Sequence, residues 1–179
     1  MRTLPSAFAT LDVQLTRWTA RRAVTLLRVS VGVVYLWFGF LKFFPGLSPA
    51  QDLAARTIAA LSLGLVPGTV SVPLLAALET TIGLGLVSGR FLRATVLLLL
   101  AQMAGTVTPL LLFPSETFTS FPLVPTLEGQ YILKNVVLIG AAMVIGATVR
   151  GGRLVPEPAP GPATAMTPTA STPAALSPR

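Results

Sequence analysis

The residues able to do chemistry in this chain are few, and each sits in apolar surroundings. The run from Val24 to Phe44, VTLLRVSVGVVYLWFGFLKFF, carries Arg28, Tyr35 and Lys42. Glu79 interrupts a second apolar run, Gln102 a third, and Lys134 and Asn135 stand at the opening of a fourth. A carboxylate and an ammonium can handle a proton, while a phenol and an amide donate hydrogen bonds. Together they could hold the polar head of a small, otherwise apolar molecule. The chain has neither cysteine nor histidine. Disulfides, thiol redox chemistry and thiolate metal sites are thereby excluded, and the usual ligands of zinc, copper, iron–sulfur clusters and histidine-ligated haem are missing. Met103 and Met143 are potential haem ligands, but methionine in such runs ordinarily packs as an apolar residue.

The elements that position these groups are membrane spans. Hydrophobic residues make up 53% of the chain and charged ones 11%, against roughly 25% charged in an ordinary soluble domain. Val24 to Phe44 is long enough to cross a hydrocarbon core of roughly 30 Å at about 1.5 Å per residue. At helical spacing Arg28, Gly32, Tyr35, Gly39 and Lys42 fall on one stripe, as expected of a span packed in a bundle rather than alone in lipid. Three further spans are expected over about 70–88, 91–113 and 130–149. In the second, Gly83, Gly85 and Gly89 leave one half slim enough for close helix contact; the third contains Thr106 and a Thr108-Pro109 kink.

Shorter segments flank and separate the spans. Residues 1–22 lack the apolar h-region of a cleavable signal. Phe8, Leu11, Leu15 and Trp18 recur at helical spacing beside Arg17, Arg21 and Arg22, which predicts a short amphipathic helix on the membrane surface. Phe44-Pro45-Gly46 is a stop signal, and Ser48-Pro49 reads as an N-cap with proline at N1. The helix begun there, with Asp52 and Arg56 at i,i+4 and an apolar side of Leu53, Ile58, Leu61 and Leu65, is interfacial or re-entrant and breaks at Pro67-Gly68. Residues 114–128 are expected to form a loop. The Pro-, Ala- and Thr-rich tail, 150–179, is expected to be disordered. The fold class is thus all-α, a membrane four-helix bundle over residues 23–149 with short interfacial helices.

Charge sets the expected topology. Of the thirteen Lys and Arg, nine lie in the N-terminal segment, the 88–93 turn and the tail, which places both termini in the cytoplasm. The net charge of +7 does not point to nucleic acid, because the basic residues cluster at the ends of apolar runs without interleaved aromatics. Tyr35, Glu79 and Gln102 each fall near the centre of their span. An ionisable group there costs about 2.5–3.5 kcal/mol, so Glu79 should face the bundle interior with a partner. Lys42 leans toward it, although helix rise puts their Cα levels roughly 12 Å apart. The expected result is an outward-opening cavity among Glu79, Lys42, Tyr35 and Gln102, rimmed by Lys134, Asn135 and Glu128. Each residue also has a plainer role. Arg28, Lys42 and Lys134 can snorkel to the interface, Tyr35 can simply pack, and Gln102 can join helices at about 0.6 kcal/mol. For Glu79 a structural pairing and a functional carboxylate stand equally open.

The stretches RVSVGVVYLWFGFLKFF (Arg28–Phe44) and EGQYILKNVVLIG (Glu128–Gly140), with the Ser48-Pro49 helix start and the span holding Glu79, resemble the DoxX-like membrane proteins, the YkgB-like branch in particular. The resemblance covers about residues 23–149. It implies a multi-pass bundle of the bacterial plasma membrane, acting as the membrane subunit or partner of a quinone-linked redox or oxidative-stress-defence system. On that reading quinone is the candidate ligand, no covalent or metal cofactor is expected, and whether the chain has catalytic activity of its own stays open, with none expected. Its partners are the lipid bilayer, a soluble or membrane oxidoreductase, and a second copy of itself in a homo-oligomer. Some relatives work with thiols, which a cysteine-free chain cannot supply. The alternative is a non-enzymatic membrane scaffold or assembly factor; a transporter is weaker, for want of inverted repeats or paired broken helices.

Overall fold

The computed structural model describes residues 6–44, 46–48 and 51–152. The proline at N1 and the tail beyond residue 152 lie outside those residues. In chain order the elements are α1 (Ser6–Leu41), α2 (Gln51–Leu61), α3 (Gly68–Ser88), α4 (Leu92–Val107), α5 (Pro109–Leu112), α6 (Pro114–Thr117), β1 (Phe118–Ser120), β2 (Val124–Pro125), α7 (Leu127–Leu133) and α8 (Asn135–Thr148). Four helical stretches are long and apolar enough to cross a membrane: Gln14–Leu41, Gly68–Ser88, Leu92–Leu112 and Leu127–Thr148. The protein is an all-α, multi-pass membrane bundle whose outer faces, with Trp37, Leu97 and Val137 exposed, belong in lipid.

The interior explains the pairing of the helices. Val31 and Tyr35 of α1, Ile82 and Leu86 of α3, Leu99 and Met103 of α4, and Ala141 and Ala142 of α8 form one buried cluster. Met143, by contrast, is exposed on the outside of α8, so the two methionines do not share a site. The α1 and α3 backbones pack closely, and glycine makes it possible. A methyl group on Gly83 would lie 2.7 Å from the backbone nitrogen of Leu36, and one on Gly39 would lie 2.9 Å from the backbone nitrogen of Thr80. Ends are set by local chemistry. Gly89 takes the left-handed conformation (φ 72°) after α3 and returns its N–H to the Gly85 carbonyl, while Pro109 divides α4 from α5.

Several expectations change. The amphipathic N-terminal segment is not a separate surface helix: α1 runs unbroken for 36 residues, because nothing from Ser6 to Val31 is a glycine or proline. The segment after α5 is not an open loop but a short helix and a two-stranded antiparallel hairpin. The last span begins at Leu127, three residues before the expected Gln130, because Thr126 caps it by accepting the Gly129 N–H at 3.2 Å. On α2 the buried residues are Leu53 and Thr57, whereas Leu61 is exposed, as is Leu65 beyond the helix end.

Arg56 does not pair with Asp52. It makes a two-pronged hydrogen bond to Glu116 (2.6 Å from Nη1 to Oε1) and lies 5.1 Å from the centre of the Phe113 ring. A rigid guanidinium fork prefers two coplanar carboxylate bonds to one flexible contact along its own helix. That hydrogen bond, with the attraction between the charges, holds the Glu116 carboxyl below its ordinary value of 4.5. A lowered folded-state value stabilises the protein above the ordinary one and is lost as pH falls through the lowered value. Acid titration of the clasp should therefore show α2 loosening as pH falls below the ordinary carboxylate range in the parent, and no such step in Glu116→Gln, read by exchange of the α2 amides.

Candidate functional site

Four of the six candidate residues meet. Lys42 Nζ donates to Glu79 Oε2 at 2.7 Å, Gln102 Nε2 donates to Glu79 Oε1 at 3.3 Å, and the Tyr35 hydroxyl donates to Gln102 Oε1 at 2.8 Å. The chain of bonds ties α1, α3 and α4 together. Its direction is set by the inventory of donors. A carboxylate only accepts, so the amide must turn its NH2 to Glu79, and its carbonyl is then left for the phenol. Two of the three donors thus point to one anion, and the third holds the amide in place. An amide does not relay a proton, so the Tyr35 hydroxyl supports Glu79 through Gln102 but does not protonate it. Only the Lys42–Glu79 contact joins two groups that exchange protons directly.

Each of these side chains owes its place to its helix. Glu79 and Gln102 each stand at the middle of a span of 21 residues. Gly39 lets α1 lie close against α3 at that level, which brings the end of α1 onto the carboxylate. The expected axial gap of roughly 12 Å between Lys42 and Glu79 is absent. The helices slide until Gly32 faces Leu86 and Val87, Leu36 faces Gly83, and Gly39 faces Glu79. At the other end of this contact Arg28 donates from Nη1 to the Leu86 carbonyl, satisfying an unpaired acceptor at the C-terminus of α3 rather than reaching for lipid. The stripe of Arg28, Gly32, Tyr35, Gly39 and Lys42 is therefore the face of α1 turned to α3.

Lys134 and Asn135 do not join this group. The Lys134 ammonium lies 5.1 Å from the centre of the Tyr131 ring, and Asn135 opens α8, half-buried. Tyr35, Lys42, Glu79 and Gln102 satisfy one another. A cleft of about 760 Å³ opens beside α2, with Glu128, Glu116, Arg56 and Asp52 among its lining residues. Sequence reasoning missed the Arg56–Glu116 clasp and the Arg28 cap. Neither leaves a local signal, since the partners stand 60 and 58 residues apart.

Comparison with known proteins adds one finding. A family model described as DoxX matches residues 23–113, just over half of the 179 residues, a stretch that holds Tyr35, Lys42, Glu79 and Gln102. No curated protein and no solved structure matches the chain.

Proposed function

The chain belongs to the DoxX family, and from that premise we propose that it is the membrane subunit or partner of a quinone-linked redox or oxidative-stress-defence system. Within the family we assign it to the YkgB-like branch, in a bacterial plasma membrane with both termini cytoplasmic. The observation that supports the reading is an ammonium and an amide donating to one carboxylate at the middle of its span, with a phenol donating to that amide. Ionisable groups in that position are expensive and mark function by default. A quinone carbonyl would take the Tyr35 hydroxyl in place of Gln102, and the Lys42–Glu79 pair would hold the proton that accompanies reduction. Electrons would come from a soluble or membrane oxidoreductase, since the chain offers no redox centre of its own. Lys134 and Asn135 would contribute at most to the approach of the ligand.

The test is direct binding of a short-chain quinone to the purified protein in nanodiscs. Saturable binding is expected, weakened roughly tenfold in Tyr35→Phe, the equivalent of one hydrogen bond of about 1.4 kcal/mol. No saturable binding, or equal affinity in Glu79→Gln, would remove the reading.

A second reading is favoured by one specific observation: both carboxylate oxygens of Glu79 already have partners inside the bundle. A scaffold or assembly factor needs no more than that, with the pair fixing how the helices meet. Pull-down of the tagged protein from native membranes separates the two, since an oxidoreductase supports the first and an unrelated client the second.

A further inference from the structure

The first span ends level with the middle of its neighbour α3. Spans of 21, 21 and 22 residues (Gly68–Ser88, Leu92–Leu112 and Leu127–Thr148) each match a hydrocarbon core of roughly 30 Å. The ends of the first two are level. Glu79 meets Gln102 and Gly85 meets Thr95, so Gly68 stands at the height of Leu112. Carried up from Gly39 facing Glu79 and Thr80, the α1–α3 register puts Leu41, the last residue of α1, level with Leu78, the midpoint of α3. The part of α3 from Gly68 to Ala77 continues for about 15 Å without α1 beside it.

Past Leu41 the backbone leaves the helix. Lys42, Phe43 and Phe44 return their N–H groups to Gly39, Phe40 and Leu41 in tight turns (3.1–3.2 Å), and Gly46 takes the left-handed conformation at φ 80°. Non-helical backbone at membrane depth persists only where protein buries it or water reaches it. Here a cleft lies alongside. The cleft of about 760 Å³ has Gly46 and Ser48 on one side and Gln51, Asp52, Arg56 and Glu116 around it, so its walls are mostly polar. Its mouth is at the outer end of the bundle. Ala55 of α2 is the nearest neighbour of Gly68, and Arg56 is clasped to Glu116 just beyond α5. The side chains of Lys42 and Glu79 keep 14% and 11% of their surface exposed, so the pair at the foot of this segment is not sealed.

We propose that the half of the bilayer beyond the end of α1 holds a water-filled vestibule. It is entered past α2 and the Arg56–Glu116 clasp, and it ends at the Lys42–Glu79 pair. It supplies water, and with it protons, to two charged groups at mid-depth from one face of the membrane only. This gives the break in α1 a purpose: a continuous helix would fill the same space with lipid-facing side chains and leave the pair dry. The vestibule does not rest on quinone binding, and either can fail without the other.

Because the chain has no cysteine, single cysteines report on it directly. Gln51→Cys lies at the mouth and Lys42→Cys at the foot. Ala77→Cys is at the same depth as Lys42 but on the exposed outer surface of α3. Each is reconstituted in liposomes and treated with a membrane-impermeant trimethylammonium-ethyl methanethiosulfonate from one side at a time. From the α2 face, Gln51→Cys and Lys42→Cys should react at least tenfold faster than Ala77→Cys, and from the opposite face neither should react. The double variant Lys42→Cys/Glu79→Gln removes the unpaired charge and should behave as Lys42→Cys does. Water-edited solid-state NMR on the unmodified chain reads the same property without substitution, as rapid transfer from water to the Lys42 side chain. Reactivity at position 42 no faster than at 77 in both backgrounds overturns the vestibule. So does an unreactive Gln51→Cys, reaction from the opposite face, or slow water transfer to Lys42.

Discussion

Lys42→Met is expected to destabilise the bundle by about 3 kcal/mol, and adding Glu79→Gln to it should restore most of that loss. Removing one partner of a buried ion pair strands the other, which costs about 3–5 kcal/mol, whereas removing both is often close to neutral. The lower end applies because the two side chains retain 14% and 11% exposure. In the double variant the residue at 79 can still accept the Gln102 N–H, so the tie between α3 and α4 survives. The measurement is a double-mutant cycle on unfolding in mixed micelles, followed by fluorescence of Trp18 and Trp37, with a coupling of about 2 kcal/mol expected. A coupling near zero would mean that the pair does not hold α1 to α3. The same double variant separates the two functional readings. If it is stable yet binds no quinone, the pair is there for chemistry; if it is stable and still recruits its partner, the pair fixes geometry.

The second large effect is expected at Gly83. A methyl group there meets the Leu36 backbone nitrogen at 2.7 Å and the Gly32 carbonyl oxygen at 2.9 Å, contacts that no rotamer change relieves. Gly83→Ala must push α1 away from α3 along their whole contact, at the upper end of the about 1–3 kcal/mol typical of overpacking. The displacement also lengthens the Lys42–Glu79 contact, so the loss adds to that of the ion pair. Gly105→Ala and Gly140→Ala are the controls. Nothing lies within 4 Å of the added methyl at either position. Each is a helical glycine, so alanine should be neutral or stabilising by up to about 1 kcal/mol. Equal unfolding midpoints for Gly83→Ala and Gly140→Ala would contradict the close α1–α3 approach.

Much of this molecule is legible in one dimension because lipid makes the rules strict. Backbone groups in hydrocarbon must bond within their own helix, so each apolar run of sufficient length becomes a span. Arg28, Gly32, Tyr35, Gly39 and Lys42 share a face because helical periodicity alone places them there, and Glu79 faces inward because lipid penalises it. The rest depended on contacts between segments far apart in the chain. Periodicity gives the face of a helix but says nothing about how far that helix has slid along its neighbour. For α1 the slide is decided by glycine-to-backbone contacts with α3 and by Arg28 capping the Leu86 carbonyl. The same limit explains Arg56, whose nearby Asp52 in sequence loses to Glu116 of the folded chain.

The chain's composition and spacing by themselves determined that it crosses the membrane four times and that its acid, amide and phenol lie at the centre of the bundle. Only the tertiary structure decided that α1 ends level with the middle of α3, putting Lys42 on Glu79 rather than a dozen ångströms away. The reason is that the hydrophobic effect fixes whether a segment enters the bilayer, whereas its axial position within the bundle is set by close packing at a few glycines.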